Sequence, residues 1–201
     1  MRLTKHNHAC VRFDDGDRAL VIDPGIWASP EILDGVTDVL ITHEHADHLN
    51  PALLEGVRVH AHPDVAKGID SAVPIEVGEV RTIAGFLVEA VGGTHAEIYE
   101  GLPGVANLGF LVDAPSGVVY HPGDSLFVPE VRVGTLLVPG GGPWMKLGEA
   151  IDFVRAVRPR RAHPIHDKVN SAEGNALVDR WMEMKAGVAY SRVGDGGEVS
   201  V

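Results

Sequence analysis

The chain has 201 residues, 45% of them apolar, enough for one sizeable core, so a single domain over residues 1–201 is expected, or two fused half-size units sharing that core. Lys and Arg number 17 against 28 Asp and Glu, a formal charge of −11, and with no basic run this argues against nucleic acid as a partner. One cysteine excludes an intramolecular disulfide, no apolar stretch approaches the roughly eighteen residues of a membrane span, and the N-terminus lacks the apolar segment of a signal peptide, so a soluble cytoplasmic protein is expected.

In chain order, short β-rich runs come first, at 9–13, 19–23, 39–42, 57–61, 86–91, 108–112 and 118–121, several bounded by Gly, Pro or Asp. Cys10 lies in the first and reads as a small buried hydrophobe. Asp14-Asp15-Gly16-Asp17 between the first two runs predicts a hairpin turn. A further strand at 133–138 leads into Gly140-Gly141-Gly142-Pro143-Trp144-Met145-Lys146, a candidate pocket wall in which Trp144 would pack against substrate and Lys146 would attract an anion, or simply a loop entering a helix. Helical period follows at 146–157, with Leu147, Ile151 and Val154 on one face, and at 171–186, with Ala176, Leu177, Trp181 and Met184 on one face. Between them Pro164 separates the short run 160–163 from the loop carrying His166. Helices packed outside sheets, with polar chemistry at strand ends, are the expected arrangement.

The chemistry concentrates in Thr42-His43-Glu44-His45-Ala46-Asp47-His48, which directly follows the apolar run 39–41. A strand delivers a loop that packs four nitrogen or oxygen donors into six positions, a set suited to zinc and tolerant of manganese or iron. Six positions cannot fill two coordination spheres, and three distant segments repeat the strand-then-donor pattern: Gly92-Gly93-Thr94-His95, His121-Pro122-Gly123-Asp124 and His163-Pro164-Ile165-His166. Spacing supplies seven donors and a dinuclear centre as the economical reading, without dividing the donors between ions. His60 and His62 read as a solvated strand end rather than a third metal site, and His163 as structural. His8 and His121 either approach the centre as hydrogen-bond donors or pack in turns. No GxxxxGK[ST] or GxGxxG segment supports a nucleotide cofactor.

The sequence THEHADH, with GGTH, HPGD, PIHD and the opening HNHACV followed by LVIDPG, resembles the metallo-β-lactamase fold superfamily, in particular a branch similar to ascorbate-phosphate lactonases and other broad metallo-hydrolases. The likeness covers about residues 3–195; its HxHxDH signature is specific for the superfamily and says little about substrate. It implies an α+β fold, a four-layer αβ/βα sandwich of two mixed sheets with helices outside and the site along one edge. It implies further that His43, His45 and His95 hold one metal, that Asp47, His48 and His166 hold a second, that Asp124 bridges them, and that Asp23 supports the metal loop by holding His45 or a neighbouring backbone group.

Two divalent ions, zinc first and manganese or iron as alternatives, would acidify a shared water into a hydroxide that attacks a carbonyl or phosphoryl centre. Asp47 is then both ligand and catalytic residue, orienting that water and shuttling its proton. The expected activity is hydrolysis of a small ester-like bond, a lactone, phosphorylated or not, being the preferred example and a small phosphodiester the runner-up. The partner is thus a small molecule, anionic in the phosphorylated case, with no membrane involved. A metal-binding module without turnover and a redox enzyme are the competing classes.

Overall fold

The computed structural model describes residues 1–201 except Ser71 and Pro103. Among the described residues, fourteen strands form two seven-stranded sheets. In the first, the order is β14 (Glu198–Ser200), β1 (Arg2–Lys5), β2 (Val11–Asp15), β3 (Arg18–Ile22), β4 (Asp38–Ile41), β5 (Arg58–Ala61) and β6 (Ala72–Pro74). In the second it is β13 (Ala189–Tyr190), β12 (Arg161–Ile165), β11 (Val133–Pro139), β10 (Val118–His121), β9 (Ala106–Val112), β8 (Phe86–Thr94) and β7 (Val80–Ile83). From β14 to β3 and from β7 to β10 neighbouring strands pair antiparallel; from β3 to β6 and from β10 to β13 they pair parallel. The two sheets therefore repeat one pattern of strand direction, the first taking β14 from the far end of the chain, although no sequence repeat announces it.

Strand alternation explains the layers. Leu20 and Ile22 of β3, Leu40 of β4, Leu108 and Phe110 of β9 and Leu137 of β11 point between the sheets and form the central core. Their neighbours Val21, Val39 and Ile41 face outward under short helical turns at Pro30–Leu33, Pro51–Leu53 and α1 (Pro63–Ala66). Leu136 and Val138 face outward under α2 (Leu147–Val157) and α3 (Ala172–Lys185). This is the four-layer α+β sandwich, with a thin outer layer on the first sheet. No helix among the described residues is long and apolar enough to cross a membrane.

Two local expectations are corrected. Pro164 does not end a strand: β12 runs through it, with Pro164 opposite Val138. Its missing N–H costs nothing on the other side, because β13 pairs only with Arg161 and Ala162 and leaves the strand an edge at Pro164. In α3 the buried stripe is Val178, Met182 and the following Ala186, while Leu177, Trp181 and Met184 are 54%, 41% and 52% exposed. The helical period is as expected and the phase differs by one residue, with Val178, Met182 and Ala186 joining the cluster under α2.

Candidate metal centre

The strand ends bring the site together. His43, His45, Asp47 and His48 follow β4, His95 follows β8, Asp124 lies just beyond β10 and His166 follows β12. The two sheets are tied at this edge by the Leu108 N–H donating to the Thr42 carbonyl (2.8 Å) and the His166 N–H to the His8 carbonyl (3.1 Å). Donor atoms of His43, His45, His95 and Asp124 gather around one point, and those of His8, Asp47, His48 and His166 around another. The seven residues singled out from the sequence are thus juxtaposed in two groups, the second of which also takes in His8. Asp124 reaches both: Oδ1 lies 3.1 Å from His48 Nε2, and Oδ2 lies 3.0 Å from His166 Nε2 and 3.4 Å from His95 Nε2.

Backbone constraints explain this convergence. Asp23, fully buried just after β3, accepts from the Thr42 N–H (2.8 Å), from the Thr42 hydroxyl (2.7 Å) and from His48 Nδ1 (2.7 Å). It therefore supports His48 and Thr42 rather than His45. Gly25, two residues on, lies so close to the metal loop that a Cβ there would sit 1.9 Å from the Asp47 carbonyl oxygen. Gly123 has φ +63°, and a Cβ would strike Asn107 Oδ1 and Thr42, so only glycine permits the turn that presents Asp124. Asn107, buried in β9, pins that turn by accepting from the Asp124 N–H (2.9 Å) and donating to the Pro122 carbonyl (2.9 Å).

Tautomers follow from the partners. His48 donates from Nδ1 to Asp23, and His95 donates from Nδ1 to the Ala96 carbonyl (2.5 Å), so in the neutral rings both Nε2 atoms carry the lone pairs. The Thr42 hydroxyl, having given its proton to Asp23, accepts from His43 Nδ1 (3.0 Å), which leaves His43 Nε2 as a lone pair 3.0 Å from His45 Nδ1. His48 Nε2, His95 Nε2 and Asp124 Oδ1 are buried without a hydrogen-bond partner among the described residues. Lone pairs converging in a buried space are unfavourable without a cation between them. The donor set, imidazole nitrogen with carboxylate oxygen, fits two divalent ions.

His8 is the exception within its group. The Lys168 N–H donates to Nδ1 (3.3 Å), which leaves the ring proton on Nε2, where it is donated to Asp47 Oδ2 (3.0 Å). A proton on Nε2 excludes ligation there, so His8 acts as a donor that holds the Asp47 carboxylate. Its φ of +58° and burial to 1% show how firmly the β1–β2 turn fixes it.

The electrostatics agree with a site built for cations. Burial opposes a charge on His48, but Asp124 and Asp23 outweigh it and raise its pKa well above the ordinary range. Burial likewise opposes a charge on His166, and hydrogen bonding to Asp124 and Asp47 lifts its pKa to about 9. His43 is pushed well down by burial and by His48. Burial works to raise Asp47, but hydrogen bonds from His166 and His8 hold its carboxyl far below the usual range.

Trp144 does not lie open to substrate; it is 8% exposed, and its Nε1–H donates to Asp124 Oδ2 (3.0 Å). Gly142 makes room for that ring, since a Cβ would lie 2.9 Å from Trp144 Nε1. Lys146 sits exposed at the start of α2. His60 is not solvated but buried, paired through Nε2 with Asp38 (2.7 Å), and His62 caps α1. His121 donates to the Ala9 carbonyl (2.8 Å) and accepts from the Gly123 N–H (3.1 Å), bracing the Asp124 turn from behind. His163 Nδ1 donates to the Ser191 carbonyl (2.8 Å), and Cys10 is buried.

Two histidine-and-aspartate clusters sharing a carboxylate at the edge of a two-sheet sandwich define the class, a metallo-β-lactamase-like fold with a candidate dinuclear centre. Residues 2–166 match the family model for the β-lactamase superfamily domain, and the chain belongs to that family. It is similar to protein Rv0786c of Mycobacterium tuberculosis, 36% identical over 188 residues that cover 88% of this chain and 89% of that one. A UPF0173 protein of Pyrococcus furiosus is 30% identical over 181 residues, 83% of each chain. Among solved structures, Igni18, a metallo hydrolase of Ignicoccus hospitalis, shares the fold with a TM-score of 0.74 at 19% identity, over 98% of this chain and 97% of that one. These likenesses point to a UPF0173-like branch and do not single out the ascorbate-phosphate lactonases.

Proposed function

We propose that this protein is a dinuclear metal-dependent hydrolase of a small ester-like bond, with a lactone as the leading example and a small phosphodiester as the alternative. The observation that carries this reading is the pair of donor clusters joined through Asp124, with His48 Nε2, His95 Nε2 and Asp124 Oδ1 buried and unpartnered among the described residues. On this reading His43, His45, His95 and Asp124 hold one ion, and Asp47, His48, His166 and Asp124 the other. Zinc is favoured by the histidine-rich set, with manganese or iron in competition for it. Two divalent ions bound there supply Lewis acidity toward a carbonyl or phosphoryl oxygen and acidify water near neutral pH.

The protein's own groups supply orientation and proton handling. Asp23 and Thr42 fix His48 and His43 as lone-pair donors, while Trp144 and Asn107 hold Asp124 and its turn. The Asp47 side chain is 25% exposed whereas that of Asp124 is 3% exposed, so Asp47 is the carboxylate able to exchange a proton with solvent. His8 keeps one Asp47 oxygen engaged, which leaves the other to orient an attacking water. The Ignicoccus protein's designation as a metallo hydrolase supports the same class.

Parallel kinetics of the metal-loaded protein on simple lactones, phosphorylated lactones, small phosphodiesters and structured RNA test this. Turnover of a lactone above the others is expected. A kcat/KM for RNA above every small substrate, or no turnover of any substrate by protein shown to hold two ions, contradicts it.

A further inference from the structure

A cavity of about 210 Å³ opens directly onto the first donor cluster, with His45 and His95 as its floor. Its wall is the segment after β8, where Ala96, Ile98, Leu102 and Val105 contribute apolar surface and Glu97 a carboxylate. Among the described residues lining it there is no Lys or Arg. Lys146, the cation that the sequence offers to an anionic group, is not among them and stands at the exposed start of α2.

A second cavity, of about 380 Å³, does hold cations: Lys5, Lys168 and Arg192 line it together with Asp167 and Asp195. Lys5 is paired with Asp167 at 2.9 Å, and Arg192 with Asp167 and Asp179, so much of this charge is already neutralised. Of the two donor clusters this cavity touches only His8, which is buried and packs its ring 4.0 Å, centroid to centroid, from that of His166. A substrate whose reacting bond lies at the centre therefore extends into the first cavity and not the second.

We infer that the cavity over His45 and His95 receives an uncharged, apolar arm of the substrate. This deepens the hydrolase reading and rests on it, and it selects neutral acyl or lactone substrates over phosphorylated ones. An apolar wall gains from each methylene withdrawn from water. A terminal phosphate would lose hydration there beside Glu97, with no Lys or Arg among the described lining residues to compensate.

The test uses the metal-loaded full chain and a series of alkyl hydroxamates, whose head group anchors at the metals while the tail samples the cavity. Dissociation constants are measured by calorimetry for tails of one to six carbons and for the same tails ending in phosphate. Affinity should rise about threefold to fourfold per methylene until the cavity is filled, and the terminal phosphate should weaken binding about tenfold or more. Ile98→Lys, verified as folded and metal-loaded, should flatten the alkyl series and improve the phosphate-tailed probe by about tenfold. A flat series in the unaltered protein, tighter binding of the phosphate tail, or no binding by any member overturns the inference. Failure to hydrolyse esters or lactones in a separate assay would strike the activity reading, while the affinity series still decides which tail the cavity takes.

Discussion

Replacing His8 separates two roles that its position allows, donor to Asp47 or ligand of the second ion. His8→Ala removes the Nε2–H that Asp47 accepts at 3.0 Å and leaves the Lys168 N–H without its acceptor. A hydrogen bond to a charged group contributes about 1.5–3 kcal/mol, which corresponds to about 10- to 100-fold in affinity. Outer-shell partners of metal ligands typically have effects of that size. His8→Gln puts an amide NH2 near the position of Nε2, so it restores donation to Asp47 but not an imidazole lone pair. Metal affinity of the second site, measured by chelator competition alongside thermal unfolding, should therefore fall about 10- to 100-fold in His8→Ala and recover most of that loss in His8→Gln. Equal loss in both variants would make His8 a ligand and refute the tautomer argument; no loss in folded His8→Ala would deny it any role.

Gly25→Ala should lower both stability and second-site affinity, because its Cβ would meet the Asp47 carbonyl at 1.9 Å and backbone must move. About 1–3 kcal/mol of destabilisation is expected by chemical unfolding, and an unchanged midpoint with full metal content would contradict the close packing. Asp47→Asn should reduce kcat by about 100-fold or more on an identified substrate, with metal content and melting followed in parallel. A folded variant holding two ions at full kcat would remove Asp47 from the chemistry. Metal uptake should release protons: His166, raised to about 9, is protonated below that pH in the metal-free protein, so binding strengthens as pH rises toward 9. Calorimetry at pH 7.5 in buffers of differing ionisation heat should find at least one proton released per chain, and none would contradict the assignment.

The densest part of the site was legible because its donors are adjacent in sequence, and the strand-then-donor rhythm led from there to His95, Asp124 and His166. What the chain hides is whatever depends on its return path. His8 gains meaning only when the β1–β2 turn lands beside Asp47, thirty-nine positions away. Asn107 reads as an ordinary strand residue until Gly123 brings the Asp124 turn over it. Trp144 looked like a wall for substrate because a sequence does not reveal that its N–H has a buried carboxylate to meet. His60 looked solvated for the same reason, its partner Asp38 lying on the neighbouring strand. In the fold, apolar runs buried on both faces identify the central strands, whereas short β1 owes its place to pairing with β2 and β14, and β14 to pairing with β1. The doubled topology is carried by strand direction, which side-chain pattern does not encode.

Anomalous diffraction from metal-reconstituted crystals, with elemental analysis of the same protein, tests the dinuclear centre most directly. The account predicts two ions per chain, one among His43, His45 and His95, the other among Asp47, His48 and His166, with Asp124 reaching both and His8 held off by its hydrogen bond to Asp47. A single ion at saturating metal, or one centred away from these residues, would contradict it.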